Sequence, residues 1–485
     1  VKAPSDLARE AGAVLLKRSL PVAAREQWTV WYELTVKHPV ERLRACNALG
    51  LVALTQQDYA TARAYYEEAC RYKDEPGVLS EDRVKILINL AHLAYTNGDA
   101  AKARDLAVKA RAACADVTDG VLLGRIQLTL SAATIADRQW TEARSAALEA
   151  RRSFADARRT DLLAHALTNL GLIELEEGHL EAAEEQLLMA RKLHLRNLDH
   201  LGAAHDFTEL GRLQFRRGRL TDALAAGSQA LDILLADASL LDRAEVARLS
   251  LLFGAVNLAE KRKGPALNYL NRAAAYFAQL GYTREWDEAN QLTREALALS
   301  GPTRRQPELS EQERQLNYLT AVLDATDDIE SVDEALRGHS ERVASLALVI
   351  GRFLKFAPQR LTSLGHAARL HDVGKVAGDQ HHPETGERVA HAFLLPDDCL
   401  AAIRHHHEHV DGSGEPDHLI GDDIPELARI IALADAYDHL TVGREQNLLH
   451  TQAMVVLQQQ AGVTLDHRLV TAFESLHQVR KEVEV

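Results

Sequence analysis

Apolar and polar positions along the first 300 residues repeat as a phrase. "NALGLVALTQQDYATARAYYEEA", "TNLGLIELEEGHLEAAEEQLLMA" and "TELGRLQFRRGRLTDALAAGSQA" align position by position. Small residues recur at Gly50, Ala91, Ser131, Gly171, Gly211 and Gly254, at intervals of 41, 40, 40, 40 and 43 residues. A second small position follows at Ala62, Ala103, Ala143, Ala183, Ala223 and Ala266, with the same intervals. Between the two positions lie polar turns: "NGD", "DRQ", "EGH" and "RGR". Each unit therefore predicts a helix, a short turn and a second helix, with the small residues where the paired helices pack closely. A single hairpin cannot bury its own apolar stripe. Stacked neighbours can, which makes a solenoid with a concave face. Such a face binds a peptide or protein; the bland alternative is an array that only spaces or dimerises.

The pattern breaks at "SGPTRRQPELSEQER" (Ser300–Arg314), where two prolines, a glycine and mixed charge read as a linker. "ELSEQERQLNYLTAVLDA" then returns to helical spacing through Leu316, Leu319, Val322 and Leu323. It predicts a connecting helix or a dimer helix, the latter making the chain a homodimer. The expected organisation is a repeat domain over 1–300, a linker and connecting helix over 301–335, and a second domain over 336–485.

Composition narrows the class. A chain of 485 residues exceeds one ordinary core, so two or more domains are expected. It is 46% apolar and 26% charged, with 5% aromatic residues, which fits a helical globular protein. A net charge of -14 argues against a general nucleic-acid or anionic-membrane binder. No apolar run approaches the roughly 18 residues of a membrane span. Lys2, Arg9 and Glu10 interrupt any signal-peptide pattern at the start of the sequence. The chain starts at Val1 without Met, so further N-terminal residues are expected before it. Cys46, Cys70, Cys114 and Cys399 are scattered without a CxxC pair, which predicts buried thiols rather than disulfides or a zinc ribbon.

Histidine usage marks the second domain. Seven of the 22 histidines precede residue 301, and 15 lie from His339 onward. "GHSERVASLALVIGRFL" places His339 near the start of an amphipathic helix. "LGHAARLHDVGKV" carries His371 and Asp372 after a helical stretch, with Gly374 turning the chain out and Lys375 following. "HHPETGERV" supplies His381 and His382, "HHHEHVDGSGEP" supplies His405, His406 and His407, and "ARIIALADAYDHLT" supplies Asp435. Imidazole and carboxylate are ligands for Zn, Mn or Fe. Neighbouring residues on a helix point about 100° apart, so two adjacent histidines can reach one centre and the third faces elsewhere. An Asp beside a His can bridge two ions while the His binds one.

These motifs resemble known families. The repeats resemble the tetratricopeptide repeat in its longer form, about six units over roughly residues 40–300 behind an N-terminal helical cap. Residues from about 330 to 480 resemble the HD-GYP domain of the HD phosphohydrolase superfamily. "HDVGK" matches HDxGK, "HHEHVDGSGEP" matches HHExxDGxGYP, "HPETG" matches HPxxG, and "ALADAYDHLT" matches ADxxDALT. The resemblance implies an all-α chain: a helical-hairpin solenoid followed by a helical bundle with metals in its core. It implies two divalent ions (Fe, Mn or Zn) held by His339, His371, Asp372, His382, His406, His407 and Asp435, with Asp372 bridging and catalytic and His405 left out. Lys375 is then expected to steer phosphate or move a proton, and Arg444 to contact phosphate. The implied reaction is hydrolysis of cyclic di-GMP to the linear dinucleotide or GMP in a bacterial cytoplasm. Physically, two cations would neutralise the anionic diester and activate water.

Four departures from that pattern stand out. Gly414-Glu415-Pro416 replaces GYP, "REQ" at Arg444–Gln446 replaces RPY while keeping its Arg, and "DEAL" at Asp333–Leu336 replaces DPYT. Ala335 cannot supply an extra carboxylate, which favours two ions over three. Lys375 and His382 are only seven positions apart, where the family carries a longer insertion. A second function class fits the same departures: a nucleotide receptor or interaction scaffold that has lost turnover. Either way the repeats are expected to bind a protein or peptide partner, which in the enzyme reading regulates the domain.

Overall fold

The computed structural model describes residues 3–55, 58–236, 242–299, 310–332 (side chains to 325), 338–377, 381–391, 395–442 and 448–478. Linker residues 301–309 and the positions of "DEAL" lie outside them. Among the described residues the regular elements are helical, as the periodicities predict. Two isolated bridges, Asp411 to Ile420 and Ala461 to Leu465, are the extended pairings.

In chain order the first helices are α1 (Pro4–Lys17), α2 (Pro21–Leu34), α3 (Pro39–Thr55) and α4 (Tyr59–Arg71). The hairpin array continues through α5 (Ser80–Thr96), α6 (Ala100–Ala112), α7 (Gly120–Ala136), α8 (Trp140–Asp156), α9 (Thr160–Glu176) and α10 (Leu180–Arg196). It goes on as α11 (His200–Arg216), α12 (Leu220–Ala236), α13 (Arg243–Ala259), α14 (Lys263–Leu280) and α15 (Thr283–Ala298). After α16 (Glu311–Val332) come α17 (His339–Phe353), α18 (Pro358–Leu370), α19 (His382–His391) and α20 (Asp397–Arg404). The last three are α21 (Glu426–Val442), α22 (His450–Gln460) and α23 (His467–His477).

The chain forms two compact units. One combines Val1–Tyr65 with Thr320–Val485, and the other combines Tyr66–Leu235 with Leu240–Leu319. This division differs from the sequence borders at 300 and 335, because the N-terminal helices pack with the histidine-rich bundle. The Glu26 carboxylate of α2 accepts the Thr451 backbone N–H at 2.9 Å and its hydroxyl at 2.7 Å. That places a negative charge at the α22 N-terminus, where unsatisfied N–H groups favour it. Arg18 donates to the Leu476 carbonyl at 2.7 Å. Helical periodicity predicts that residues 1–65 are helical but contains nothing about which core they join.

Within the repeat unit, turn geometry explains the polar tripeptides. Gly98, Arg138, Gly178, Gly218 and Lys261 all take positive φ, between 56° and 84°. The following residue then donates back across the helix end: Asp99 to Ala94 and Gln139 to Thr134 at 2.9 Å, and Arg219 to Gln214 at 3.0 Å. This is the left-handed closure that satisfies terminal carbonyls. The small positions are contact points. Ala91, Ser131, Ala103, Ala143, Ala183, Ala223 and Ala266 are fully buried. A Cβ on Gly171 would lie 2.6 Å from Leu187 Cγ, and one on Gly254 would lie 2.7 Å from Leu270 Cγ.

Buried polar pins join successive hairpins. Thr168 donates to Asp206 at 2.7 Å, and one repeat later Thr208 donates to Glu245. Glu245 also faces His205 Nδ1 at 3.0 Å and Arg248 at 3.1 Å. Burial alone would raise the Glu245 carboxyl, but His205, Arg248 and the Thr208 hydroxyl hold it at about 2. Burial and Arg248 oppose charge on His205, and Glu245 outweighs them and raises it above its ordinary value.

Two outcomes are expected. Gly171→Leu should overpack the α9–α10 contact and lower stability by about 1–3 kcal/mol, read as a lower urea midpoint of the full chain. The Glu245 contribution is present above its unfolded value of 4.5 and is lost as pH falls towards about 2. The His205 contribution runs the other way: present below 6.5, lost as pH rises past its raised value. In urea titrations, wild-type stability should therefore fall more steeply below pH 4.5 than that of Glu245→Gln; parallel curves would refute it.

Candidate metal centre

Helix ends, rather than helix faces, deliver the histidines. His339 is the first residue of α17, entered through Gly338 at φ 69°. His371 and Asp372 follow the last turn of α18, and a 3-10 segment Val373–Ala377 leads on from them. His382 starts α19, and His405–His407 form a turn after α20 rather than continuing it. Asp435 stands in the middle of α21. Gly374 has a sharper role than turning the chain: a Cβ there would meet the His382 carbonyl oxygen at 2.0 Å and the Gly386 nitrogen at 2.7 Å. Any side chain would push the α19 start away from Asp372.

These residues converge. His382 Nε2 lies 3.2 Å from Asp372 Oδ1, while His339 Nε2 and His371 Nε2 lie 3.7 and 3.6 Å from Asp372 Oδ2. His339 Nε2 is 3.2 Å and His371 Nε2 3.7 Å from Asp435 Oδ1. His406 and His407 stand with ring centroids 4.4 Å apart, and His407 is 4.7 Å from the His382 ring. His339 also belongs to a third group with Asp435 and His439, while two groups flank Asp372: His382 with His406 and His407, and His339 with His371. Asp372 turns one oxygen to each.

The imidazoles are oriented from outside. His339 Nδ1 faces Asp438 Oδ2 at 2.8 Å, His371 Nδ1 donates to the Ala368 carbonyl at 2.8 Å, and His406 Nδ1 donates to the Ile403 carbonyl at 2.6 Å. Their inner Nε2 atoms, with that of His382, are buried and make no hydrogen bond. Buried polar atoms are rarely left this way. Tied outer nitrogens and bare inner ones are the arrangement of metal-binding imidazoles, so the residues fit divalent ions.

The electrostatics agree. Burial and the neighbouring His371 and His407 push His406 well below its ordinary value. Burial and His382 lower His407 to about 4. Both rings are thus neutral, with lone pairs available. Burial alone would raise Asp372 and Asp435. His371, His382 and Lys375 hold Asp372 well below the carboxylate range, and His339, His371 and His439 do so for Asp435. His339 differs: burial opposes its charge, but Asp435 and Asp438 raise it to about 9, so without an ion this ring is protonated and must release its Nε2 proton to act as a ligand.

The remaining expected residues are placed as follows. Lys375 Nζ donates to Asp372 Oδ2 at 2.6 Å. His405 is engaged on both sides, with Nδ1 on the Ala401 carbonyl at 2.8 Å and Nε2 on Asp417 at 2.9 Å, and stays out of the cluster. His381 is exposed where His382 is buried. In the motif loop Gly414 is buried against the backbone of Glu408 and His409, and Glu415 is exposed. Arg444 lies outside the described residues.

Three participants escape sequence reasoning. Asp438 holds His339 and is gripped by Arg342 through Nε at 2.7 Å and Nη2 at 2.9 Å. His439 Nδ1 lies 2.9 Å from Asp435 Oδ1. Glu408 accepts the Asp417 and Leu419 N–H groups at 2.6 and 3.0 Å and pins the motif loop. The i+3 spacing of Asp435 and Asp438 on one helix face was the available signal for the first.

Residues 379–469 match the family model described as HD domain, and residues 43–76 match the model described as tetratricopeptide repeat. The chain carries a tetratricopeptide repeat and a C-terminal HD domain, as its motifs indicate. The cyclic di-GMP phosphodiesterase response regulator RpfG of Xanthomonas campestris pv. campestris is 31% identical over 184 residues, 33% of this chain and 48% of that protein. A 3'3'-cGAMP-specific phosphodiesterase of Vibrio cholerae serotype O1 is 32% identical over 158 residues, 29% of this chain and 32% of that one. A cyclic di-GMP phosphodiesterase of the same organism is 30% identical over 179 residues, 30% and 36% of the two chains. The chain spans less than half the length of these curated relatives. Among the described residues no helix is long and apolar enough to cross a membrane.

Asp438→Ala should free the His339 ring and weaken metal binding by about ten- to a hundredfold in a chelator-competition titration. His405→Ala should leave it unchanged. Equal effects of the two would contradict this arrangement.

Proposed function

We propose that the chain is a metal-dependent phosphodiesterase that hydrolyses a cyclic dinucleotide, cyclic di-GMP, to the linear dinucleotide or GMP. One observation carries the reading: four buried Nε2 atoms without hydrogen bonds surround a carboxylate that turns one oxygen to each of two histidine groups. The named activities of the relatives support the substrate class.

In this reading His339, His371, Asp372 and Asp435 would hold one divalent ion, and His382, His406, His407 and Asp372 would hold a second. The ions are Fe, Mn or Zn, since imidazole with carboxylate suits all three. When bound, they supply charge neutralisation of the diester and a lowered pKa for water. Lys375 fixes the Asp372 carboxylate, and its partly exposed ammonium meets the approaching phosphate. Asp438 and Arg342 keep His339 in one tautomer, so little reorganisation is needed at turnover. The domain organisation proposed is repeats over 1–300, a connecting segment over 301–335 and the phosphohydrolase over 336–485, with residues 1–65 packing beside the last. A protein or peptide on the concave face of the repeats regulates the site by binding two states unequally.

The test is hydrolysis by the purified full chain loaded anaerobically with Mn or Fe, products separated by chromatography, with cyclic di-GMP and 3'3'-cGAMP in parallel. Wild type should release linear product, and Asp372→Ala should lose at least about a hundredfold in rate, since it removes the shared ligand. Preference for 3'3'-cGAMP would correct the substrate within the class. No product from either, with two ions bound, would overturn the enzyme in favour of a nucleotide receptor; the exposed Glu415 in place of an aromatic favours that second reading.

A further inference from the structure

The repeat unit holds a second group of imidazoles. His165 lies on α9, His194 in the last turn of α10, and Asp199 caps α11. His194 is 1% exposed, and its Nδ1 faces Asp206 Oδ2 at 2.8 Å. Asp206 is fully buried, and its other oxygen accepts the Thr168 hydroxyl at 2.7 Å. With Nδ1 turned to Asp206, Nε2 is the His194 nitrogen that faces the other two side chains. That atom stands 3.4 Å from His165 Nδ1 and 3.5 Å from Asp199 Oδ2. His165 Nε2 lies 3.5 Å from the same oxygen. One donor atom from each of the three residues lies within 4.8 Å of the others.

The separations leave room for a cation among the three side chains. Hydrogen bonds from ring N–H groups centre near 2.9–3.0 Å, so contacts of 3.4–3.5 Å are long for them. Two donors on one tetrahedral ion with bonds of about 2.0–2.1 Å stand about 3.3–3.5 Å apart, a spacing that His165 Nε2 and His194 Nε2 each keep to Asp199 Oδ2 at 3.5 Å, while the 3.4 Å contact involves the other His165 nitrogen and one donor from each residue lies within 4.8 Å of the rest. The backbone is also hollowed for these groups. A Cβ on Gly202 would lie 2.6 Å from Asp199 Oδ2 and 2.8 Å from His194 Cδ2. Asp199 divides its work: Oδ1 accepts the Gly202 N–H at 2.9 Å as the helix cap, and Oδ2 is left facing the imidazoles. The buried Asp206–His194 pair is the carboxylate–imidazole support that metal-binding histidines use.

We propose that His165, His194 and Asp199 form a site for one divalent transition ion of the zinc class, separate from the centre in the HD domain. With side-chain exposures of 47% for His165 and 33% for Asp199, the fourth position is open to water. The ion would join α9, α10 and α11 at one point and so lock two successive hairpins, stiffening the array where its polar pins already run.

The test uses the full chain dialysed against micromolar zinc, with bound metal counted by mass spectrometry. His165→Ala and Asp199→Asn run beside wild type. The first replaces a half-exposed residue, and the second keeps the capping oxygen, so both should fold. Each variant is expected to bind one ion fewer than wild type, whatever the HD domain retains. The wild-type minus His165→Ala difference spectrum with cobalt should show the intense visible bands of a tetrahedral ion. Equal stoichiometry in all three proteins, or a difference spectrum without those bands, would overturn the site.

Discussion

Asp372 turns its two carboxylate oxygens towards different histidines, and the arrangement of the HD domain depends on that division. Oδ1 lies against His382, and Oδ2 lies against His339, His371 and Lys375. For a 1%-exposed carboxylate to stay ionised, positive or metal-binding groups must surround it. The ends of α17, α18 and α19 supply them, and Gly374 lets the α19 start come close enough. Further out, the Ala368 and Ile403 carbonyls and Asp438 fix the rings, so orientation is built into backbone and side chains before any ion binds.

The repeat unit solves a different problem with similar means. Its hairpins pack through positions where any larger side chain would collide, such as Gly171 against Leu187. The chain itself sets which hairpin follows which, but close packing alone does not fix the register between them. The Thr168–Asp206 and Thr208–Glu245 pins do, because a buried carboxylate tolerates only the neighbour that supplies its donors. Both units thus gain definition from buried carboxylates, Asp206 and Glu245 in one and Asp372 in the other, each held between named partners.

The repeat was legible because its period is long and its small residues recur at nearly constant intervals. The turn tripeptides were legible for the same reason, although the positive φ of Arg138 and Lys261 shows that the left-handed closure does not require glycine. In the HD domain, ordered motifs marked the residues that the fold gathers, and the choice between His381 and His382 agrees with their burial. Asp438, His439 and Glu408 were not legible as participants, because each acts through a neighbour across space. The histidine triplet was read on a helical wheel, whereas it forms a turn, so the exclusion of His405 comes from Asp417 and the Ala401 carbonyl.

By itself the sequence determined the helical hairpins, the small-residue contacts and the set of imidazoles and carboxylates available to a site. Those follow from local periodicity and from side-chain chemistry. Tertiary structure alone decided that residues 1–65 join the C-terminal bundle, that Asp372 faces two histidine groups, and that His165, His194 and Asp199 meet. Each of these depends on contacts between residues far apart in the chain or on different helices, set by burial and partner geometry that no local pattern encodes.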